Sequence, residues 1–233
     1  MRLAIMQPYL FPYIGYFQLV NAADIFVLHD DVQYIKGGWI NRNRILQNGK
    51  DALITLNIKN DSAYKNINER NFSDDFEDCK KKLLRVIQNN YHKAPFSKEV
   101  TDLLKEIFAF EDSNVSTFIK NSILQINNYL EIKTPVLLSS SVKKNNETKG
   151  EERVLELSKC CNATAYFNPI GGIQLYSKEN FSANNIDLSF IKANDIVYSQ
   201  QSTLFVPNLS IIDVLMFNDI EKVKGYLTQY SFV

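Results

Sequence analysis

The sequence predicts an α/β fold built on a mainly parallel sheet flanked by helices, with a helical lobe inserted around residues 73–131. Three observations carry that expectation. The chain opens as an apolar run (3–6), a helically spaced set of large apolar groups (Ile14, Phe17, Leu19, Val20) and a second apolar run (24–28). That is the strand–helix–strand unit from which parallel sheets are made. Further strand-like runs at 135–138, 163–167 and 186–191 are separated by helical or turn-forming stretches. Between the two halves, three successive segments repeat apolar residues at helical spacing.

Taken in order, the first strand stops at Gln7-Pro8, because proline cannot donate to a ladder. The aromatic segment 9–20 is a loop running into a helix. Residues 39–47 are polar and aromatic, Asn48-Gly49-Lys50 is a turn, and 52–58 alternates as a strand with one wet face does. A loop covers 59–71, with an edge strand near 64–67. Ser73 is expected to cap a helix to about Asn90 that buries Phe76, Leu83, Leu84 and Ile87. A second helix starts at Ser97 beyond Pro95. A third, capped by Ser113, covers 117–130 with Phe118, Ile119, Ile123 and Ile126 inward. The polar run 143–149 is expected to be a solvated, mobile loop before a helix over 151–161. After the strand at 163–167, Asn168 to Gly172 is a tight turn and 176–180 a short helix. The strand at 186–191 is expected to be the last, and 211–216 opens a terminal helix behind the Ser210 cap. The pattern is Rossmann-like.

Composition narrows the function. With 233 residues, 45% of them hydrophobic, one good core is available. No repeat, long linker or low-complexity tract divides the chain, so a single domain over 1–233 is expected. Lys plus Arg equals Asp plus Glu at 26 each. That balance disfavours DNA or RNA as partner, since phosphate neutralisation dominates such binding. Three cysteines, Cys79, Cys160 and Cys161, fit no CxxC or zinc spacing and read as reduced thiols of a cytosolic protein. The N-terminus reaches Gln7-Pro8 too soon for a signal h-region, and no apolar run approaches a membrane span. A cytoplasmic location without membrane insertion is expected. No metal site is predicted, although Asp30, Asp31 and one of the histidines His29 and His92 would be its donors if one existed. No motif assigns a cofactor; GxGxxG, GxSxG and HExxH are all missing.

Four segments are polar where a core-building sequence would not be. Gln7 and Tyr9 follow the first strand, where open parallel sheets place ligands; an ordinary strand-to-helix turn reads equally from the same residues. Residues 30–44 (DDVQYIKGGWINRNR) put two carboxylates at a strand end, followed by Gln33, Tyr34, Trp39, Asn41, Arg42 and Arg44. Arginine forks suit a diphosphate and Trp39 a base or sugar face, whereas structural ion pairs are the plainer reading. His92, in YHKAPF, is a candidate proton acceptor or a surface helix-end histidine. Asn168, Gly171 and Gly172 form a turn able to present N–H groups to an anion, and Tyr198 and Gln200 are further ligand candidates. A Ser/His/Asp set using 139–141 has no supporting spacing. Asp30, Asp31 and His92 are the catalytic candidates, and all these loops are expected to converge on one hollow at the sheet's carboxyl rim.

With these segments in view, the chain resembles the WbqC-like family over essentially its whole length. The matching stretches are QPYLFPYIGYFQL, ADIFVLHDDVQYIKGGWINRNRI, YHKAPF, TKGEERVLEL, AYFNPIGGIQLY and VYSQ…FVPNLSIIDVLMFN. The resemblance implies a part in bacterial O-antigen, lipopolysaccharide or capsule biosynthesis, making or decorating a nucleotide-activated sugar, often an amino sugar. It implies ligand contacts at Gln7, Tyr9, Asp30, Asp31, Gln33, Tyr34, Asn41, Arg42 and Arg44. The opening is also similar to that of adenylate-forming nucleotidyltransferases, with Tyr13 and Tyr16 where their HxGH histidines stand. This substitution argues for a donor activated elsewhere. The expectation is an acyl or aminoacyl transferase whose partners are a nucleotide-linked amino sugar and a carrier-protein-, CoA- or tRNA-borne acyl donor. The alternative is a non-catalytic partner that holds the nucleotide sugar or a carrier protein.

Overall fold

The computed structural model describes residues 1–145 and 147–233. The opening run forms β1 (Arg2–Met6), followed by α1 (Ile14–Ala22) and β2 (Ile25–Leu28). β1 and β2 pair in parallel, Leu3 opposite Ile25 and Met6 opposite Leu28. β3 (Arg42–Gln47) and β4 (Lys50–Thr55) then form a separate antiparallel hairpin, closed at Asn48 and Gly49, both at positive φ. No named strand covers 64–67; a 3-10 turn (Ile67–Glu69) and isolated bridges stand there.

The helical lobe is α2 (Phe76–Tyr91), α3 (Ser97–Phe108) and α4 (Val115–Tyr129). Its inward faces are those the spacing gives: Phe76, Leu83, Ile87, Phe118, Ile119, Ile123 and Ile126 are buried, with Leu84 partly so. The caps differ from expectation. Asp75, not Ser73, precedes α2, and Asn114, not Ser113, caps α4 by accepting from the Ser116 and Thr117 N–H groups. An asparagine side chain does this as well as serine.

The sheet resumes with β5 (Val136–Leu138), then α5 (Gly150–Cys160), β6 (Ala165–Pro169), α6 (Lys178–Ala183) and β7 (Asp187–Ala193). α7 (Ile211–Phe217) and α8 (Ile220–Tyr226) follow, and β8 (Tyr230–Phe232) returns antiparallel on β7. β7 is therefore not the last strand; three residues at the C-terminus were too few to show a period. The strand order is β5-β2-β1-β6-β7-β8, parallel except for β8. Counting only the parallel strands in chain order, this is the doubly wound 3-2-1-4-5 arrangement, with direction reversing between β1 and β6.

Side-chain alternation divides the interior in two. Leu3, Ile5 and Val27 face α5 and α6, packing with Val154, Leu157 and Phe181. Ala4, Phe26 and Leu28 face α1 and the lobe. Each fully buried side chain such as Val27 or Phe26 contributes roughly 1.5–3 kcal/mol relative to exposure. The three cysteines are free. Among the described residues, no helix is long and apolar enough to cross a membrane.

Candidate functional site

β2 and β5 lie side by side, so the residues after each meet at the carboxyl rim. Asp30 is fully buried there, and both its oxygens are taken: Oδ1 accepts from the Ser140 N–H (2.9 Å) and lies 3.0 Å from Ser139 Oγ, whose single proton it shares with Asp31, and Oδ2 accepts from Ser140 Oγ (2.7 Å). It ties the two strand ends together. Asp31 turns the other way, into a cavity of about 740 Å³ lined by His29, Asp31, Gln33, Asn68, Ser140 and Arg153 among others. The far wall is the 3-10 turn, pinned to the strand end by the Ile67 N–H to Val32 carbonyl and Asn68 N–H to Asp30 carbonyl bonds, both 2.9 Å.

Asp31 is the electrostatic centre. Lys144 Nζ lies 2.6 Å and Arg153 Nη1 3.3 Å from Oδ2, and Ser139 Oγ donates to Oδ1. Burial alone would raise this carboxyl, but Lys144, Ser139 and Arg153 outweigh it and hold it below the ordinary range. Lys144, in the run expected to be solvated and mobile, has a side chain only 1% exposed. The Asp31 carboxylate is what draws it in. Within that run, Asn146 lies outside the described residues.

His29 Nε2 is 3.8 Å from Asp31 Oδ1, beyond hydrogen-bond reach. Burial, assisted by Arg153 and Lys144 and opposed by Asp31, brings its pKa down to about 4, so the ring is neutral at physiological pH. Two buried polar atoms of cavity residues have no hydrogen-bond partner among the described residues: His29 Nε2 and Asn68 Oδ1. Buried groups left unpaired are rare, because each loses its bond to water without replacement. The cavity also receives Thr148, Lys149 and Gly150, the start of α5, whose first turn has no side-chain cap.

The other sequence candidates stand elsewhere. Of the expected residues, Asp31 and Gln33 line this cavity, with Asp30 behind its wall. Tyr9 and Trp39 line a different groove. Arg42 donates to the Gly37 and Gly38 carbonyls, and Arg44 pairs with Asp51 at 3.4 Å; both guanidiniums lie against Trp39. Tyr34 donates to Asn41, whose own amide holds the Leu56 carbonyl. Gln7 offers its carbonyl to Tyr16. Tyr198 and Gln200 bind buried Asp213 at 2.6 and 2.7 Å, and Tyr91 joins them at 2.8 Å. Asn168 bonds Tyr166 beside Gly171 and Gly172. His92 stands in a shallow depression of the helical lobe with Gln88 and Asp102. The single hollow expected from sequence is thus several separate places, because loops of unequal length leave the rim in different directions.

Sequence reasoning named His29 only as a possible metal donor and passed over Asn68, Lys144 and Arg153. His29 precedes the two aspartates and Arg153 sits in TKGEERVLEL, so the signal was present in the quoted stretches. Asn68 and Lys144 lie in polar runs with no local pattern.

The fold and this rim define a doubly wound α/β protein of the Rossmann type with a polar cavity at the carboxyl ends of its strands. The WbqC-like protein family matches residues 7–225, and the chain belongs to it. A protein of Mycobacterium tuberculosis (strain ATCC 25618 / H37Rv), described as "Uncharacterized protein Rv1507c", is 29% identical over 229 residues, 97% of either chain. No solved structure matches.

Proposed function

We propose that the chain is an acyl or aminoacyl transferase that modifies the amine of a nucleotide-activated amino sugar for bacterial surface-polysaccharide biosynthesis, and that the cavity beside His29 is its acceptor site. The observation that carries the reading is a polar cavity two of whose lining residues, His29 and Asn68, each hold a buried atom without a partner among the described residues, Nε2 and Oδ1. With its proton on Nδ1, a neutral imidazole offers Nε2 as an acceptor. An amine donates hydrogen bonds and complements both atoms. Asn66, Gln33 and Glu69 give the same wall further groups suited to sugar hydroxyls. Lys149, Arg153 and the uncapped start of α5 suit a diphosphate. A volume near 740 Å³ lies in the range of small-molecule sites.

In this reaction the sugar nitrogen attacks the acyl carbonyl of a thioester or ester. The N–C bond forms, the C–S or C–O bond breaks, and the nitrogen's proton passes to His29 Nε2 and on to the leaving group. His29, rather than Asp30, Asp31 or His92, is the base: Asp30 is fully buried with both oxygens engaged, and Asp31 is held ionised by two cations. Positioning and proton transfer supply the acceleration.

The test is incubation of purified protein with amino-sugar nucleotides and acyl donors, read by mass spectrometry. An acyl mass gain on the acceptor is expected, lost by roughly 10²–10⁴-fold in His29→Gln with acceptor binding kept. Acceptor binding without any turnover would instead make the chain a non-catalytic holder of the nucleotide sugar.

A further inference from the structure

A second hollow on the same rim has the opposite chemistry. It is a groove of about 260 Å³ lined by Tyr9, Pro12, Tyr13, Trp39, Asn43 and Asn208, with no charged residue among them. It is made by the loop after β1, the strand at which the sheet order reverses, where doubly wound folds seat ligands. Trp39, the sole tryptophan of the sequence, is 38% exposed. Tyr13 is held by a close approach: a Cβ at position 15 would lie 2.4 Å from Tyr13 Cε2, so glycine there lets the ring fold over the start of α1. Among the described residues, the Tyr9 and Tyr13 hydroxyls and the Asn208 amide have no hydrogen-bond partner, while Asn43 is spent on the Leu10 and Phe11 carbonyls. At the edge, the Arg44 and Arg42 guanidiniums lie 5.0 and 5.8 Å from the Trp39 ring centroid.

We propose that this groove is a nucleobase site, and that it takes the nucleotide end of the activated acyl donor. An uncharged aromatic slot disfavours a phosphate as its main occupant and suits a flat, neutral ring. The unspent Asn208 amide offers a donor and an acceptor side by side, the complement of a base edge. Arg42, which donates to the uncharged Gly37 and Gly38 carbonyls, places positive charge beside the slot, where the base's phosphates would emerge, while Arg44 shares its charge with Asp51. A neighbouring hollow of about 330 Å³ shares Tyr13 and Asn208 with the groove and is walled by Ile14, Ile196, Val197 and Phe205. It gives an acyl arm a largely apolar track beginning at the base. The nucleobase assignment stands independently of the transfer reaction. Its attribution to the donor rests on reading the His29 cavity as the acceptor's site.

Because Trp39 is the only tryptophan, its fluorescence reports this groove directly. Titration of the protein with AMP and with coenzyme A is expected to give a saturable change in Trp39 emission. Pantetheine, which lacks the base, is expected to give none. Asn208→Ala and Tyr13→Ala are expected to weaken AMP binding by roughly 5- to 100-fold, with unchanged thermal melts confirming that each variant folds. Trp39→Leu, followed by calorimetry, should lose AMP binding to a similar degree. No saturable change with AMP, coenzyme A or a UDP- or dTDP-amino sugar at millimolar concentration would overturn the proposal, as would an equal response to pantetheine. A response to UDP- or dTDP-amino sugars but not to AMP would overturn the donor assignment by giving the groove to the acceptor. AMP binding together with a lack of any acyl transfer would leave the groove standing and remove the transferase reading instead.

Discussion

Replacing Lys144 by methionine removes the buried charge paired with Asp31, a lining residue of the His29 cavity, while keeping the apolar stem. The Lys144 side chain is 1% exposed, that of Asp31 11%, and their charged atoms are 2.6 Å apart. Breaking a buried pair by removing one partner costs roughly 3–5 kcal/mol, because the other charge stays desolvated. Arg153, 3.3 Å from the same oxygen, still compensates Asp31, so the cost falls to or below the lower edge of that range, about 2–3 kcal/mol. For a chain of this size that is a fall in Tm of about 5–10 °C. Asp31→Asn strands two cations and should cost more. The double variant Asp31→Asn with Lys144→Met should be more stable than the two single losses predict when added, by at least about 1 kcal/mol. Thermal and urea unfolding of the four proteins complete the cycle. The pH dependence has a fixed sign. Asp31's carboxyl is held below its ordinary range, so its contribution is present above the unfolded value near 3.9 and is lost as pH falls through the lower folded value. The gap between wild type and Lys144→Met should therefore persist at pH 5–7 and close only under stronger acid. Additive losses, or a Lys144→Met protein as stable as wild type at pH 7, would refute the reasoning.

Three other outcomes follow from the same geometry. His29, with a folded pKa of about 4 against an ordinary 6.5, should stay neutral by NMR down to pH 5; its contribution to stability is complete above pH 6.5 and lost between there and about 4, up to roughly 3 kcal/mol, and a titration midpoint near 6.5 would contradict this. Tyr91→Phe removes a hydroxyl that donates to Asp213 and accepts the Leu46 N–H, both at 2.8 Å, and should cost about 1–3 kcal/mol in urea unfolding; a loss below 0.5 would count against it. Gly172→Ala sets a Cβ 2.1 Å from Asn168 Oδ1, whose side chain is buried and bonded to Tyr166, so a loss of roughly 1–3 kcal/mol is expected by thermal melting.

The elements with a strong period were legible in sequence. The buried faces of α2 and α4 and the strand–helix–strand opening follow from apolar spacing, which local sequence records. The hairpin turn at Asn48-Gly49 was equally plain, yet nothing local says that β3 and β4 pair only with each other. The site was half legible. That polar residues gather after β2 was visible in HDDVQ. Which of them faces a ligand was not, because it depends on Ser139, Ser140 and Lys144, more than 100 positions away. Asp30 was chosen for its chemistry but is spent on holding β5, whereas His29, adjacent to it, has the unspent atom. His92 stands apart from that rim, in a depression beside Gln88 and Asp102, since a helix end carries no record of which surface it joins. The arginines of 42–44 drew attention through charge, and their partners, the Gly37 and Gly38 carbonyls and Asp51, lie within the same loop and hairpin.

The most direct measurement is a crystal structure of the protein with a nucleotide-linked amino sugar bound. The sugar nitrogen should lie about 2.6–3.2 Å from His29 Nε2, with Asn68 Oδ1 as its second acceptor and the diphosphate near Lys149 and Arg153. A ligand seated elsewhere on the chain, or one that turns a hydroxyl rather than its amine toward His29, would contradict the account.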